Sequence, residues 1–251
     1  MPKHGKRYRA NLEKVDREHQ YAPAEAVRIV KEFETTKFDE TVEVHIRTGL
    51  NVRHADEQLR GTIAFPNGLG KEVTIVVFAK GDKAREAEQA GADYVGADEL
   101  AKRIEEENWT DFDVAIATPD MMPVVGKLGR VLGPQGKMPN PKVGTVTDDV
   151  EKAVADSKSG KVEYRTDRQA IVHMAIGKAS FDEDKLLENY QAVIEEIQRA
   201  KPSSSKGKYI LSATLATTMG PGIRVDAGAK AADREAAAAG AGETAEEPAT
   251  V

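Results

Sequence analysis

The 251-residue sequence predicts a discontinuous α+β domain, a sandwich of half-buried strands and amphipathic helices drawn from both ends of the chain, with an α/β domain inserted into it. Three observations carry that prediction. Strands that alternate apolar and polar residues occur on both sides of the chain, at Thr41–Arg47 and around Val162–Tyr164 and Ile171–Met174. Between them, Val73–Ala79 is apolar without alternation and runs into a charged helical stretch, the pattern of a strand buried on both faces of a parallel sheet. Charge divides the chain in the same places. Residues 1–66 carry 12 basic against 11 acidic side chains, 67–160 carry 12 against 17, 161–224 carry 10 against 8, and 225–251 carry 2 against 6, for a net charge of -6.

Taken in order, a helix opens at Pro23, with Val27, Val30 and Phe33 facing inward. Along Thr41–Arg47, Val42, Val44 and Ile46 point to the core, while Thr41, Glu43, His45 and Arg47 line an open face. The inserted domain is expected over residues 67–159, with a helix over Asp82–Gln89 and strands over Ala92–Val95 and Val114–Ala117. Its two crossings, Pro66–Gly68 and Ser157–Gly160, form a paired hinge. Residues 1–66 and 160–226 make the outer domain. There, the two later strands are joined by the turn Thr166–Gln169, a helix over Asp182–Arg199 places Leu186, Tyr190, Val193, Ile194 and Ile197 on one stripe, and a last strand spans Tyr209–Thr217. Residues 227–251 hold 11 alanines and 3 glycines, and their only larger apolar residue is Val251, so they read as a disordered acidic tail.

Several function classes drop out. With no cysteine there is no disulfide, thiolate metal site or cysteine nucleophile, and His4, His19, His45, His54 and His173 show no metal-ligand spacing. No apolar run reaches the length of a membrane span, and the basic start lacks the core of a signal peptide, so a soluble cytoplasmic protein without a membrane partner is expected. Neither Gly-x-Gly-x-x-Gly nor Gly-x4-Gly-Lys-[Ser/Thr] occurs, nor Gly-x-Ser-x-Gly, nor a His-Glu-x-x-His helix. The expectation is no cofactor, no metal and no enzyme.

Three stretches remain as candidates. Met121–Thr147 holds Lys127, Arg130, Lys137 and Lys142, five glycines and four prolines without one acidic residue, a reversal of sign that suits a secondary contact with an anionic partner. A structured connection whose glycines and prolines serve turns explains it equally well. Lys37–Glu43 begins a strand whose open face brings an aromatic, a hydroxyl and a carboxylate together, the equipment of RNA recognition, although a core phenylalanine and a solvated face are the plainer account. Ser212–Arg224 runs a strand of small residues into Thr217–Pro221, offering hydroxyls and close backbone approach with almost no charge.

Thr118–Thr147, read whole, resembles the signature of the universal family of large ribosomal subunit protein one, bacterial type. The resemblance continues in order through Lys37–Glu43, Arg60–Thr62, His173, Gly177–Phe181 and Thr217–Pro221, and covers the chain to about Asp226. It implies a split β-α-β sandwich that binds RNA, with an inserted Rossmann-like three-layer α/β domain. It also implies the function: a structural constituent of the large ribosomal subunit that binds the RNA of the mobile stalk, assists release of deacylated tRNA from the exit site, and represses translation of its own messenger RNA. On matching positions the RNA-binding residues are Lys37, Phe38, Thr41, Glu43, His173, Lys178, Ser212, Thr218, Met219 and Gly220. Phe38 and Met219 are expected to press apolar surface on the minor groove, Thr41, Ser212 and Thr218 to bond hydroxyls or phosphates, Gly220 to allow close backbone approach, Lys37 to meet phosphate, and Glu43 to accept from a 2′-hydroxyl. The chain departs from the family pattern at Gln135 and Lys137, where Arg and Leu are usual, at Ala170, where glycine is usual in the hairpin, and in its acidity, which suits a salty cytoplasm where phosphate contacts are screened. The competing reading is an acidic protein-interaction scaffold that does not bind RNA directly.

Overall fold

The computed structural model describes residues 4–33, 36–205 and 207–228. Its first elements are α1 (Lys6–Glu13), α2 (Pro23–Lys31), β1 (Thr41–Thr48), β2 (Arg60–Ala64), β3 (Ile75–Phe78), α3 (Asp82–Gln89), β4 (Tyr94–Gly96), α4 (Asp98–Glu107) and β5 (Val114–Ala117). There follow α5 (Met122–Val125), α6 (Gly129–Leu132), α7 (Val150–Lys158), β6 (Lys161–Arg165), β7 (Ile171–Lys178), α8 (Glu183–Arg199), β8 (Ile210–Thr217) and β9 (Ile223–Val225). The result is a mixed α/β fold with several sheets. The chain divides into two compact units, Met1–Gln58 with Thr166–Val251, and Leu59–Arg165.

The first unit is an antiparallel sheet in the order β7-β1-β8-β9. Alternation along β1 sends Val42, Val44 and Ile46 to a face with no solvent exposure, against α2 and α8, and leaves Glu43, His45 and Arg47 on the other. Proline at the first turn of α2, where an amide would lack a partner anyway, starts that helix at Pro23, and α8 buries Leu186, Tyr190, Val193 and Ile197. Ile194 is only half-buried, whereas Leu187 and Asn189 are buried as well, so the inward face of α8 differs from the stripe its sequence suggests. Buried Asn189 instead reaches across to donate to the Ile176 carbonyl at 2.7 Å.

The second unit holds a parallel sheet, order β4-β3-β5, with helices on both faces. All four residues of β3 are fully buried, as its unbroken apolar run requires. Val76 and Phe78 pack on one side with Ile104, Met121, Val125 and Leu128, and Ile75 and Val77 pack on the other with Ala87, Val150 and Val154. An antiparallel ribbon of β2 and β6 completes the unit, closed by a 2.6 Å ion pair between Arg60 and Glu163.

Some expectations need correction. The division falls at residues 58/59 and 165/166, not at 66 and 160, because β2 and β6 pair with each other and pack within the second unit. Helices α1, α4, α5, α6 and α7 and strands β2 and β9 were not expected, and of the alanine-rich tail only Ala227 and Gly228 lie among the described residues. In the turn between β6 and β7, Ala170 takes the left-handed conformation (φ 60°) that glycine adopts without strain.

Candidate nucleic-acid interface

The turn Lys37–Glu40 enters β1 at one end of the first unit's sheet, and two other segments are fastened to it there. Thr41 is the knot. Its amide donates to Thr218 Oγ1 at 3.0 Å, its carbonyl accepts from the Thr218 amide at 3.1 Å, and its hydroxyl accepts from Lys178 Nζ at 3.0 Å. Buried Glu40 accepts the Met219 amide on Oε2 at 3.0 Å, while its carbonyl accepts the Ala179 amide at 2.8 Å. Asp39 takes both the amide and the hydroxyl of Ser180, at 3.1 and 2.7 Å. Three segments distant in sequence are thereby held on one frame.

What the frame presents is apolar. Phe38 and Met219 are 54% and 55% exposed, and among the described residues only Tyr94 and Leu211 are other large hydrophobics left so open. Phe38 does not begin the strand, which starts three residues later at Thr41; it stands out from the turn, so the core reading of this phenylalanine is wrong. Lys37 is exposed beside it and has no ion-pair partner among the described residues. One row further along the open face, Glu43 lies between Ala175 and Ala216, whose small side chains leave its carboxylate standing clear. Six of the expected residues therefore gather at one sheet end, Lys37, Phe38, Thr41, Lys178, Thr218 and Met219, with Glu43 adjoining.

The remaining expectations fare differently. Gly220 is at the same end, but a Cβ there would come within 3.0 Å of the Phe33 ring, so the turn's own packing already demands glycine. The hydroxyls of Thr41 and Thr218 are engaged within the frame rather than held free for a ligand. His173 sits further along the open face, opposite His45, and Ser212 lies opposite Arg47 toward the far end of β8, on the order of 20 Å from Thr218 at strand spacing. Ser212 is thus apart from the cluster.

In the second unit, Met121–Leu132 is a chain of short helical turns that bury Met121, Val125, Leu128 and Leu132, so this part of the stretch is core rather than loop. Lys137 donates to the Thr110 carbonyl at 2.8 Å and lies 5.3 Å from the Phe112 ring centre, which occupies it in packing. Lys127, Arg130 and Lys142 are exposed, without ion pairs among the described residues. No helix there is long and apolar enough to cross a membrane.

Sequence reasoning missed Asp39, Glu40 and Ser180. All three stand inside motifs already singled out, yet their partners are 141 and 179 residues away, and nothing local signals the pairing. The sequence model of the ribosomal protein L1p/L10e family matches residues 30–221. That span takes in the whole frame, from the turn before β1 to the turn after β8, together with the entire second unit. The chain therefore belongs to the ribosomal protein L1p/L10e family, large-subunit ribosomal proteins whose role is structural rather than enzymatic and whose typical ligand is ribosomal RNA.

Proposed function

We propose that this protein binds the stalk region of large-subunit ribosomal RNA through the Phe38–Met219 end of its first unit, which serves as the RNA-binding domain, the second being an inserted Rossmann-like domain. The observation that carries the reading is the pair of half-exposed apolar side chains, Phe38 and Met219, held on backbones locked by Thr41, Glu40 and Asp39. A-form RNA offers a wide, shallow minor groove lined with ribose and 2′-hydroxyls, which proteins read by shape. Two fixed apolar knobs beside the Glu43 carboxylate suit that surface: the knobs displace water from ribose, and Glu43 accepts from a 2′-hydroxyl that DNA lacks. Lys37 and Lys178 supply charge at the edge, and His173 and Ser212 extend the contact along the open face.

Family membership further supports assistance in releasing deacylated tRNA from the exit site and repression of the protein's own messenger RNA, the latter by a transcript that presents the same groove to the same residues. Lys127, Arg130 and Lys142 are the cations left for a secondary anionic contact. A gel-shift titration against the stalk fragment tests the main reading. Phe38→Ala and Met219→Ala should each weaken binding about tenfold or more, a loss near 1.4 kcal/mol. Wild-type affinity in both variants would move the site elsewhere, and no binding by the wild type would return the interaction-scaffold reading to the front.

A further inference from the structure

We propose that His45 and His173 form a two-imidazole site for a divalent d-block cation such as Zn2+, Ni2+ or Cu2+ on the open face of the first unit's sheet. The two residues are direct cross-strand partners on β1 and β7, 128 positions apart in sequence, which is why no ligand spacing shows in the sequence. Their Nδ1 atoms converge to 2.9 Å. Behind each ring stands a carboxylate: Glu43 lies 3.8 Å from His45 Nε2, and Asp167 lies 3.4 Å from His173 Nε2.

A neutral imidazole has one N–H and one lone pair. Asp167 is within reach of the His173 Nε2–H and leaves that ring's Nδ1 as a lone pair, to which His45 Nδ1 donates across the 2.9 Å contact; a cation that displaces this one proton takes both nitrogens as ligands. Asp167 then does what outer partners do around bound metals: it fixes the tautomer and raises the basicity of the ligating nitrogen. Metal–nitrogen bonds of about 2.0–2.1 Å around a tetrahedral ion place two ligands about 3.3 Å apart, so the rings need open by only about 0.4 Å. Both side chains are partly exposed, at 30% and 50%, and have room to do so. Imidazole pairs select Zn, Ni or Cu over Mg or Ca. Among the described residues no group of three or more His, Asp and Glu could hold a metal ion, so water completes the coordination and affinity is micromolar rather than nanomolar.

This inference shares His173 and Glu43 with the proposed RNA contact, and its readout is metal binding in the absence of RNA. The full-length protein is titrated at neutral pH with ZnCl2 or NiCl2, following histidine ring signals by NMR, and with CuCl2, following nitrogen hyperfine structure by EPR. The expected result is saturation at one ion per chain with two nitrogen ligands. His45→Gln and His173→Gln should each weaken binding at least about tenfold, while His19→Gln and His54→Gln leave it unchanged. Because glutamine on an exposed strand face preserves the fold, circular dichroism of each variant identifies any loss that is due to unfolding, and the zinc-dependent rise in Tm gives a second readout. Absence of saturable binding, binding indifferent to both strand substitutions, or ring signals that respond to protons but not to metal would each overturn the site.

Discussion

Phe38 and Met219 leave more than half of their surface in water, although burying an apolar side chain of that size is worth about 1.5–3 kcal/mol. Since their exposure contributes nothing to the fold, truncating either one should leave stability within about 0.5 kcal/mol of wild type while RNA affinity falls; thermal melts beside the gel shifts would show the separation. Thr218 behaves in the opposite way. Its hydroxyl closes the bracket to the Thr41 amide, so Thr218→Val should cost about 1 kcal/mol of stability as well as affinity, whereas Thr218→Ser keeps both. Ala170, strained at φ 60°, should gain about 1 kcal/mol on replacement by glycine, measured by denaturant unfolding. Tyr209 is buried with no hydrogen-bond partner for its hydroxyl among the described residues, and burial pushes its pKa up to about 12. The folded state therefore favours the neutral phenol. Its contribution is complete below the unfolded value near 10 and is lost as pH rises from there toward 12. In a phenolate absorbance titration Tyr209→Phe should remove a component with its midpoint near 12.

At the scale of elements, much was legible because period and burial coincide. The alternation of Thr41–Arg47, the unbroken apolar run at β3 and the stripe of α8 each correspond to one way of meeting the core, and the structure places them so. What failed to show was contact made at long range or by weakly patterned segments. Helices α4 and α7 bury only two or three residues each, too narrow a stripe to stand out from a charged background. The Asp39–Ser180 and Glu40–Met219 bonds depend on which strand lies beside which, and that order is set only when β7 and β8 flank β1. Asn189 is a polar residue in the apolar stripe of α8 for the same reason: it serves a carbonyl on β7. Replacing it with leucine should cost about 1–3 kcal/mol, because the Ile176 carbonyl loses a buried donor; chemical denaturation would read the change.

The molecule as a whole carries a net charge of -6, and the sheet end assigned to RNA brings only Lys37 and Lys178 to the contact. Each phosphate contact contributes roughly -0.7 to -0.9 to the slope of log K against log salt, so the slope here should be about -2. A much steeper dependence in the gel-shift series would mean that other cations carry the binding.

The central place of β1 in the first unit's sheet also bears on how the chain is made. Its neighbours β7 and β8 are encoded more than 120 residues downstream, whereas Leu59–Arg165 is continuous and holds all its own strand partners. During synthesis the middle of the polypeptide can condense as soon as it emerges, while Thr41–Thr48 waits unpaired for the carboxyl-terminal third. Since the frame around Thr41 closes only when Thr218 and Met219 arrive, a nascent chain cannot assemble this sheet end before residue 219 has been made.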